Sequence, residues 1–551
     1  MTSPDELLAG LDDQQRQAAE ALLGPVVLLA GAGTGKTRAI THRIAYGVAT
    51  GVYSPSRVMA LTFTARAAGE LRSRLRLLGA GGVSARTFHA SALSQLGFFW
   101  PQVVGGSAPK LLESKGRMIG HAAESLRLKL DTATLRDTAA EIEWRKVSRL
   151  TLEQYAAVKR PLPPTLTVEK VVDLQRAYET VKDDRKQLDF EDVLLVTAGM
   201  IESEPRVAQQ VREQYRFFVV DEYQDVSPLQ QELLSLWLGE RNDVCVVGDA
   251  SQTIYTFAGA TPDYLLGFPG AHDDATVIRL EQNYRSTSAI VDAANRVMHG
   301  RAGALDLHAA PGAPTGPAPA VSAFPNDRAE ARAIAEAIRS EIDGGVPPAS
   351  IAILYRINVQ SAVLETALGD AGVPFVIRGA TRFFDQREVK EAIMLLKGAS
   401  VNTAPEPLFQ TVSDVLRSLG WTQDAPEVRG AVRDRWESLN ALMGLADESP
   451  DGTTLKEFVA ELLERQAGQH EPTMSAVTLA TLHSAKGLEW DSVYIAGVSE
   501  GLLPIGYAKT EQAVEEERRL FYVGITRARR QLRLSWAGPS REASRFLADL
   551  R

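Results

Sequence analysis

Along the chain, short continuous apolar runs alternate with longer segments of helical period, the pattern of an α/β protein. Val26-Val27-Leu28-Leu29-Ala30, Val58 to Thr64, Phe217-Phe218-Val219-Val220, Val244-Cys245-Val246-Val247 and Val277 to Leu280 each read as a strand buried on both faces. A second series starts with Ile351 to Tyr355 and returns with Val477 to His483, Ser492 to Ala496 and Leu532 to Trp536. Between them the pattern predicts helices over Arg38–Ala49, from Ala65 onward, over Asp327–Ile342 and over Glu515–Tyr522, with a further helix opening at Leu11 to Gln17. Two stretches carry no strong strand, about 91–200 and 381–474, and are expected to be helical; Pro161, Pro163 and Pro164 divide the first. Gly and Pro enrichment over 302–319 reads as an exposed connector. Two α/β halves, each interrupted, follow from this pattern.

The chemistry begins after the first strand, at Ala30-Gly31-Ala32-Gly33-Thr34-Gly35-Lys36-Thr37. A strand, a glycine turn, Lys-Thr and a helix make a phosphate-binding loop, here with Ala30 where the strict pattern has glycine. Backbone N–H groups and the positive end of the helix dipole hold phosphates there. Lys36 adds a point charge and Thr37 a hydroxyl ligand for Mg²⁺. The strand at Phe217 ends in Asp221-Glu222, which puts two acids where parallel sheets bind ligands. Asp221 suits Mg²⁺, and Glu222 suits orienting and deprotonating an attacking water. Gln252 follows another buried strand, with Tyr255 and Phe257 close behind. These rings could link nucleotide state to a stacked base, or belong to the core. Arg285 and Arg527 suit arginine fingers on a single ATP between the two halves, although each alone reads as a surface salt-bridge partner.

Composition narrows the class. A chain of 551 residues has room for about three to four domains, and 45% hydrophobic with 23% charged residues is globular. Apolar runs are too short to span a bilayer, MTSPDELLAG is no signal peptide, and one cysteine, Cys245, excludes a disulfide framework or thiolate cluster. A cytoplasmic protein is expected. A net charge of −9 argues weakly against nucleic acid, yet an acidic protein can carry a basic groove.

Taken in order, LDDQQ, AGAGTGKT, LTFTARAA, TFHA, DFEDVL, VVDEYQD, VVGDASQTIY, QNYRS, LYRINVQS, TLHSAKGLEW and VGITRAR resemble the superfamily-one DNA helicases of the UvrD, PcrA and Rep type. The resemblance implies two RecA-like P-loop NTPase domains with parallel sheets, at 1–90 with 201–280 and at 281–380 with 475–551. The helical insertions at 91–200 and 381–474 correspond to accessory domains. By the family pattern Gln15 reads adenine, Tyr284 stacks on it, Arg38 lies beside the nucleotide and Glu489 approaches the ribose. Gln252, Arg285 and Arg527 sense the γ-phosphate. Phe63, His89, Tyr255, Phe257, Arg356 and Asn358 line the single-strand track. Travel is 3′ to 5′.

Phe257 stands where the family usually has tryptophan and Ala258 where arginine is common. The second insertion is short, and no extension is expected after Ser544-Arg545-Phe546-Leu547. The expected function is an ATP- and Mg²⁺-dependent 3′–5′ DNA helicase and single-strand translocase, in repair or replication. It acts on single strands and single-strand/duplex junctions, away from membranes, as a monomer or weak dimer with protein partners unidentified. A translocase that strips proteins from DNA with little unwinding is the first alternative, and a nucleotide-gated assembly module the second. A helicase–nuclease fusion is disfavoured, because no carboxylate-rich domain follows the motor.

Overall fold

The computed structural model describes residues 3–158, 160, 162–163, 165–378, 383–400, 407–426, 431–447, 449–450, 452–467, 476–538 and 541–550. Pro161 and Pro164 of the expected proline break, and the expected boundary positions 1, 380, 381, 474, 475 and 551, lie outside the described residues. The chain forms two compact units. One comprises Met1–Arg160, Leu166–Arg285 and Met298–Ala313, the other Pro161–Thr165, Ser286–Val297 and Pro314–Arg551.

The first unit holds a six-stranded sheet of β1 (Val26–Ala30), β2 (Val58–Thr62), β3 (Ser84–Thr87), β4 (Phe217–Val220), β5 (Val244–Gly248) and β6 (Thr276–Leu280). All pairs are parallel, in the order β3-β2-β4-β5-β1-β6. Successive side chains of a strand face opposite ways, and this sheet separates two cores accordingly. Val27, Met59, Leu61, Phe218, Val220 and Val246 enter one; Val26, Leu28, Ala60, Val219, Cys245 and Val247 enter the other. That is why these strands read as unbroken apolar runs.

The first unit's helices include α1 (Asp13–Glu20), α2 (Lys36–Ala49), α3 (Ala65–Leu77), α4 (Phe88–Val103), α5 (Thr132–Val147) and α6 (Phe190–Ser203). The interrupting helices have a small core of their own, with Met118, Ile119, Ile142, Leu174 and Tyr178. Where the chain returns to the sheet, Lys146 and Lys182 are buried among Glu179, Asp189 and Asp192. Asp189 also caps α6 by accepting from the Asp192 N–H.

The second unit repeats the plan with β7 (Ala320–Phe324), β8 (Ile351–Tyr355), β9 (Phe375–Arg378), β10 (Val477–Thr481), β11 (Trp490–Ile495) and β12 (Ala528–Ala537), all parallel, in the order β7-β12-β11-β8-β10-β9. Helices α7 (Asp327–Asp343) and α8 (Glu511–Ile525) belong to it. Ile334, Ile338, Ile351, Ile353, Val477 and Leu479 form its core. The second helical stretch packs separately around Phe383, Leu396, Leu416, Trp421, Leu439 and Phe458.

Three strands stand outside the expected set. β3, β7 and β9 lie at the edges of their sheets and β7 is largely exposed; β6, the fourth outer strand, exposes Thr276, Val277 and Arg279, so the expected burial of both its faces does not hold. An edge strand needs no two-sided burial, so its sequence can lack the signal. Helix α2 begins at Lys36 rather than Arg38, and α8 runs well beyond the expected Glu515–Tyr522. Among the described residues no helix is long and apolar enough to cross a membrane.

Candidate active site

At the end of β1 the backbone folds back on itself. Gly33 and Gly35 take φ of 73° and 79°, the left-handed region that glycine enters without cost. Gly35 is the N-cap of α2 and supplies no side-chain cap, which leaves the first-turn N–H groups of α2 for an anion. The loop is held from three sides. Thr34 Oγ1 donates to the Gly31 carbonyl (2.9 Å), Gln15 Nε2 donates to the Thr34 carbonyl (3.0 Å), and Asn283 Nδ2 donates to the Ala32 carbonyl (2.7 Å). Leu307 fills the space a side chain at Gly31 would need. Lys36 Nζ donates to the Ala30 carbonyl (3.1 Å), which curls it over the loop.

The segment after β6 straps this loop. The Tyr284 N–H donates to the Gly33 carbonyl (2.9 Å), and a Cβ at Gly33 would come within 2.5 Å of Asn283 Nδ2 and 2.9 Å of Arg285 Cβ. Tyr284 and Arg285 are thus brought to the phosphate loop by backbone contacts. The half-exposed Tyr284 ring bonds through its hydroxyl to Asp12 and accepts from Gln282 Nε2. Its hydroxyl pKa is pushed up to about 12 by burial and by that carboxylate. Arg38 donates to the Gly10 carbonyl (2.6 Å) at the rim of the loop.

Asp221 and Glu222 follow β4. The Asp221 N–H continues the sheet by donating to the Leu61 carbonyl, and the Glu222 N–H donates to Asp221 Oδ1 (3.0 Å). Glu222 has φ 53°, unusual for a residue with a side chain. From it runs a buried relay. Gln224 Nε2 donates to Glu222 Oε2, the Asp249 N–H donates to Gln224 Oε1 (3.0 Å), and Gln252 Nε2 donates to Asp249 Oδ2 (2.8 Å). Gly248 has no side chain because a Cβ there would come 2.5 Å from Gln224 Oε1. The motifs by themselves assign no role to Gln224, Asp249 and Asn283. Each stands inside a motif already marked, but a buried amide has no spacing that announces its partner.

Three residues beyond Gln252 the rings begin. Tyr255 stacks on Phe63 with centroids 5.7 Å apart and planes 10° apart, and Phe257 meets Tyr255 edge-on at 6.1 Å. Phe257 is 51% exposed and Phe63 44%, so these rings form a surface and not a core. His89 stacks on the exposed Phe190 at 4.1 Å and 21°. Burial and then the Lys115 charge lower the His89 pKa to about 4, which keeps the ring neutral near pH 7.

The remaining candidates belong to the second unit. Arg527 is almost fully buried. It donates from Nε to the Val523 carbonyl (2.9 Å), from one guanidinium N–H to the Leu488 carbonyl (3.2 Å) and from another to Thr526 Oγ1 (2.9 Å). Glu489 accepts from Arg529. Arg356 makes a bidentate pair with Glu517 of α8, with Nε–Oε2 2.9 Å and Nη2–Oε1 2.8 Å. Burial opposes the Arg356 charge, and Glu517 more than restores it. Asn358 lies two residues on, partly buried. No cluster of three or more His, Cys, Asp or Glu suited to a metal occurs among the described residues. A cation held by Thr37 and Asp221 would need further oxygen ligands, such as those of a phosphate seated in the loop.

A glycine loop with Lys-Thr after an inner strand of a parallel sheet, and paired acids after β4, one strand further in beyond β5, define a RecA-like P-loop NTPase with a second parallel-sheet unit. The profile of the UvrD/REP helicase N-terminal domain matches residues 11–273, and that of the UvrD-like helicase C-terminal domain matches 278–404 and 403–538. Over 98% of its length the chain is 46% identical to a protein named ATP-dependent DNA helicase UvrD2 in Mycobacterium tuberculosis H37Rv, of which it covers 82%. Over 99% of its length it is 31% identical to DNA helicase II of Escherichia coli K12, covering 88% of that protein. The chain belongs to the UvrD/REP helicase family.

Proposed function

We propose that the protein is a DNA-dependent ATPase that moves 3′ to 5′ on single-stranded DNA and separates duplexes at single-strand/duplex junctions. The observation that carries this reading is the hydrogen-bonded relay Glu222–Gln224–Asp249–Gln252, which joins the acids after β4 to the turn bearing Tyr255 and Phe257. A change at the phosphates that moves Gln252 has a short path to rings suited to stacking bases.

In this reading Gln15 and Tyr284 select the base, and Arg38 and Glu489 flank the nucleotide. Residues 30–37 hold the phosphates, with Lys36 as the point charge. Thr37 and Asp221 hold Mg²⁺, which when bound offsets phosphate charge. Glu222 accepts the proton of the attacking water, and Gln252, Arg285 and Arg527 answer charge on the γ-phosphate. Phe63, His89, Tyr255 and Phe257 grip the strand by stacking. Asn358 and Arg356 are the second unit's contribution, Arg356 through its hold on Glu517. The four-part division (1–90 with 201–280, 91–200, 281–380 with 475–551, and 381–474) is the matching domain scheme. A cytoplasmic protein of repair or replication, monomeric or weakly dimeric, suits this activity.

Strand displacement with 3′-tailed and 5′-tailed duplexes tests the proposal. ATP-dependent release from the 3′-tailed substrate alone is the expected result. Release from the 5′-tailed substrate overturns the polarity. ATP hydrolysis stimulated by oligo-dT without release from either substrate favours the translocase, a reading supported by Ala258 on the exposed turn beside Phe257.

A further inference from the structure

The two ring groups on the first unit lie on segments far apart in sequence, yet one helix end touches the base of both. At the carboxyl end of α5, Lys146 Nζ donates to Asp189 Oδ2 (2.6 Å) and Asp192 Oδ1 (2.7 Å), and lies 2.9 Å from Glu179 Oε1. Asp189 and Asp192 bracket Phe190, the ring stacked on His89. Tyr178 Oη donates to Asp189 Oδ2 (2.9 Å), and Lys182 Nζ lies 2.5 Å from Asp192 Oδ2. Glu191, which with Phe190 lies between the two acids, is held by Lys115 (2.6 Å), another lysine of the interrupting helices. Burial pulls the Lys146 pKa down, and Asp189, Asp192 and Glu179 together push it above its ordinary value, so the link stays charged.

The next residue, Val147, reaches the other group. Gly259 closes the turn Thr256–Ala258 that carries Phe257, with φ 90°. A Cβ there would come within 2.7 Å of Val147 Cγ2. The valine therefore rests against the glycine that closes the turn bearing Phe257, and Arg149 pairs with Glu232 two residues further along the chain.

We propose that this helix end is a spacer. Lys146 fixes the segment bearing Phe190 and its partner His89, Val147 fixes the turn bearing Tyr255 and Phe257, and the single peptide between them sets the separation of the two platforms. Lys146 and Val147 are positioning residues. They touch no base, and they act by keeping two stacking groups at a distance that one strand can use at once. The inference rests on the reading of these rings as the strand-binding surface. It adds that the interrupting helices adjust grip through the end of α5. A single polar-to-apolar change at Lys146, or the loss of two methyl groups at Val147, should loosen the strand by uncoupling the platforms.

The test uses the full-length protein. Lys146→Met, Val147→Ala, Phe257→Ala and the double variant Val147→Ala/Phe257→Ala are titrated with labelled oligo-dT by fluorescence anisotropy. Oligo-dT stimulation of ATPase and thermal melts are recorded for each. Phe257→Ala should weaken binding by about tenfold. Val147→Ala should raise both Kd and the half-stimulating oligo-dT concentration severalfold, with the ATPase rate at saturating DNA and the rate without DNA within about twofold of the parent. The double variant should bind less weakly than the sum of the two single losses, because with Phe257 gone the spacer has only Tyr255 left to place on that turn. Such non-additivity is absent when a residue only supports the fold. Lys146→Met should weaken binding in the same way; if it does not fold, the Val147 cycle decides by itself. Additive losses, or unchanged affinity in Val147→Ala while Phe257→Ala weakens, overturn the spacer. Unchanged affinity in Phe257→Ala overturns the ring reading on which it stands.

Discussion

Glu222 holds a backbone conformation that few residues with a side chain adopt, with φ 53° and ψ 42°. Such strain costs on the order of 1–3 kcal/mol and persists only where the surroundings impose it. Here they do, because the N–H is taken by Asp221 and the carboxylate by Gln224. The geometry keeps Glu222 turned out of the strand direction just past β4, one residue beyond Asp221. Glu222→Gln keeps the length and shape of the side chain but removes the basic oxygen. Nucleotide binding should persist, since Lys36, Thr37 and Asp221 are untouched, while hydrolysis should fall by about 10²–10⁴-fold. Nucleotide titration alongside steady-state ATPase checks this, and turnover near the parental rate would remove Glu222 as the base. The sequence showed the two acids plainly as a strand end, but their amide partners were invisible. Gln224 and Asp249 are 25 positions apart and meet only because β4 and β5 are neighbours.

Among the elements, the inner strands were readable as apolar runs, and of the outer strands only β6 was, through Val277 to Leu280. β7 pairs along one edge only, through residues 320–324 against 533–537, and exposes most of its side chains. Nothing in Ala-Val-Ser-Ala-Phe requires a strand until β12 is present to pair with it. Helix α8 illustrates the converse. Although its sequence is highly charged, Glu517 is buried and takes the Arg356 guanidinium that follows β8, and it also accepts from the Ile505 N–H. Arg356→Ala would leave a buried carboxylate with one charge partner removed, a loss of about 3–5 kcal/mol. The expected outcome is a clear drop in melting temperature. Weakened oligo-dT binding at an unchanged melting temperature would instead make the arginine a direct strand contact.

For the whole molecule, stability should carry the mark of a histidine kept neutral. The His89 pKa lies at about 4 in the folded protein, against about 6.5 when unfolded. Between these values the unfolded chain binds more protons, so stability rises with pH through this window and is lost as pH falls from about 6.5 toward 4. The full difference is worth up to about 3 kcal/mol. His89→Gln should flatten the melting temperature against pH over that window relative to the parent, and equal slopes would contradict the assignment. The ordered motifs made the two motor halves legible, because each motif is a local word. The charged core around Lys146 was not, since its acids lie more than thirty residues further on and an isolated lysine looks like surface.

The chain's path between its units has a practical meaning for dissection. It leaves the first unit after Arg285, gives Ser286–Val297 to the second, and comes back for Met298–Ala313. The returning piece brings His308 and Ala309 to pair with Gln282 and Asn283, and Leu307 to sit against Gly31. A fragment cut where the first sheet ends in sequence would lose the prop beneath its phosphate loop. The motor's leading half is therefore not a removable cassette, and any split, fusion or swap must carry the later sixteen-residue return with it.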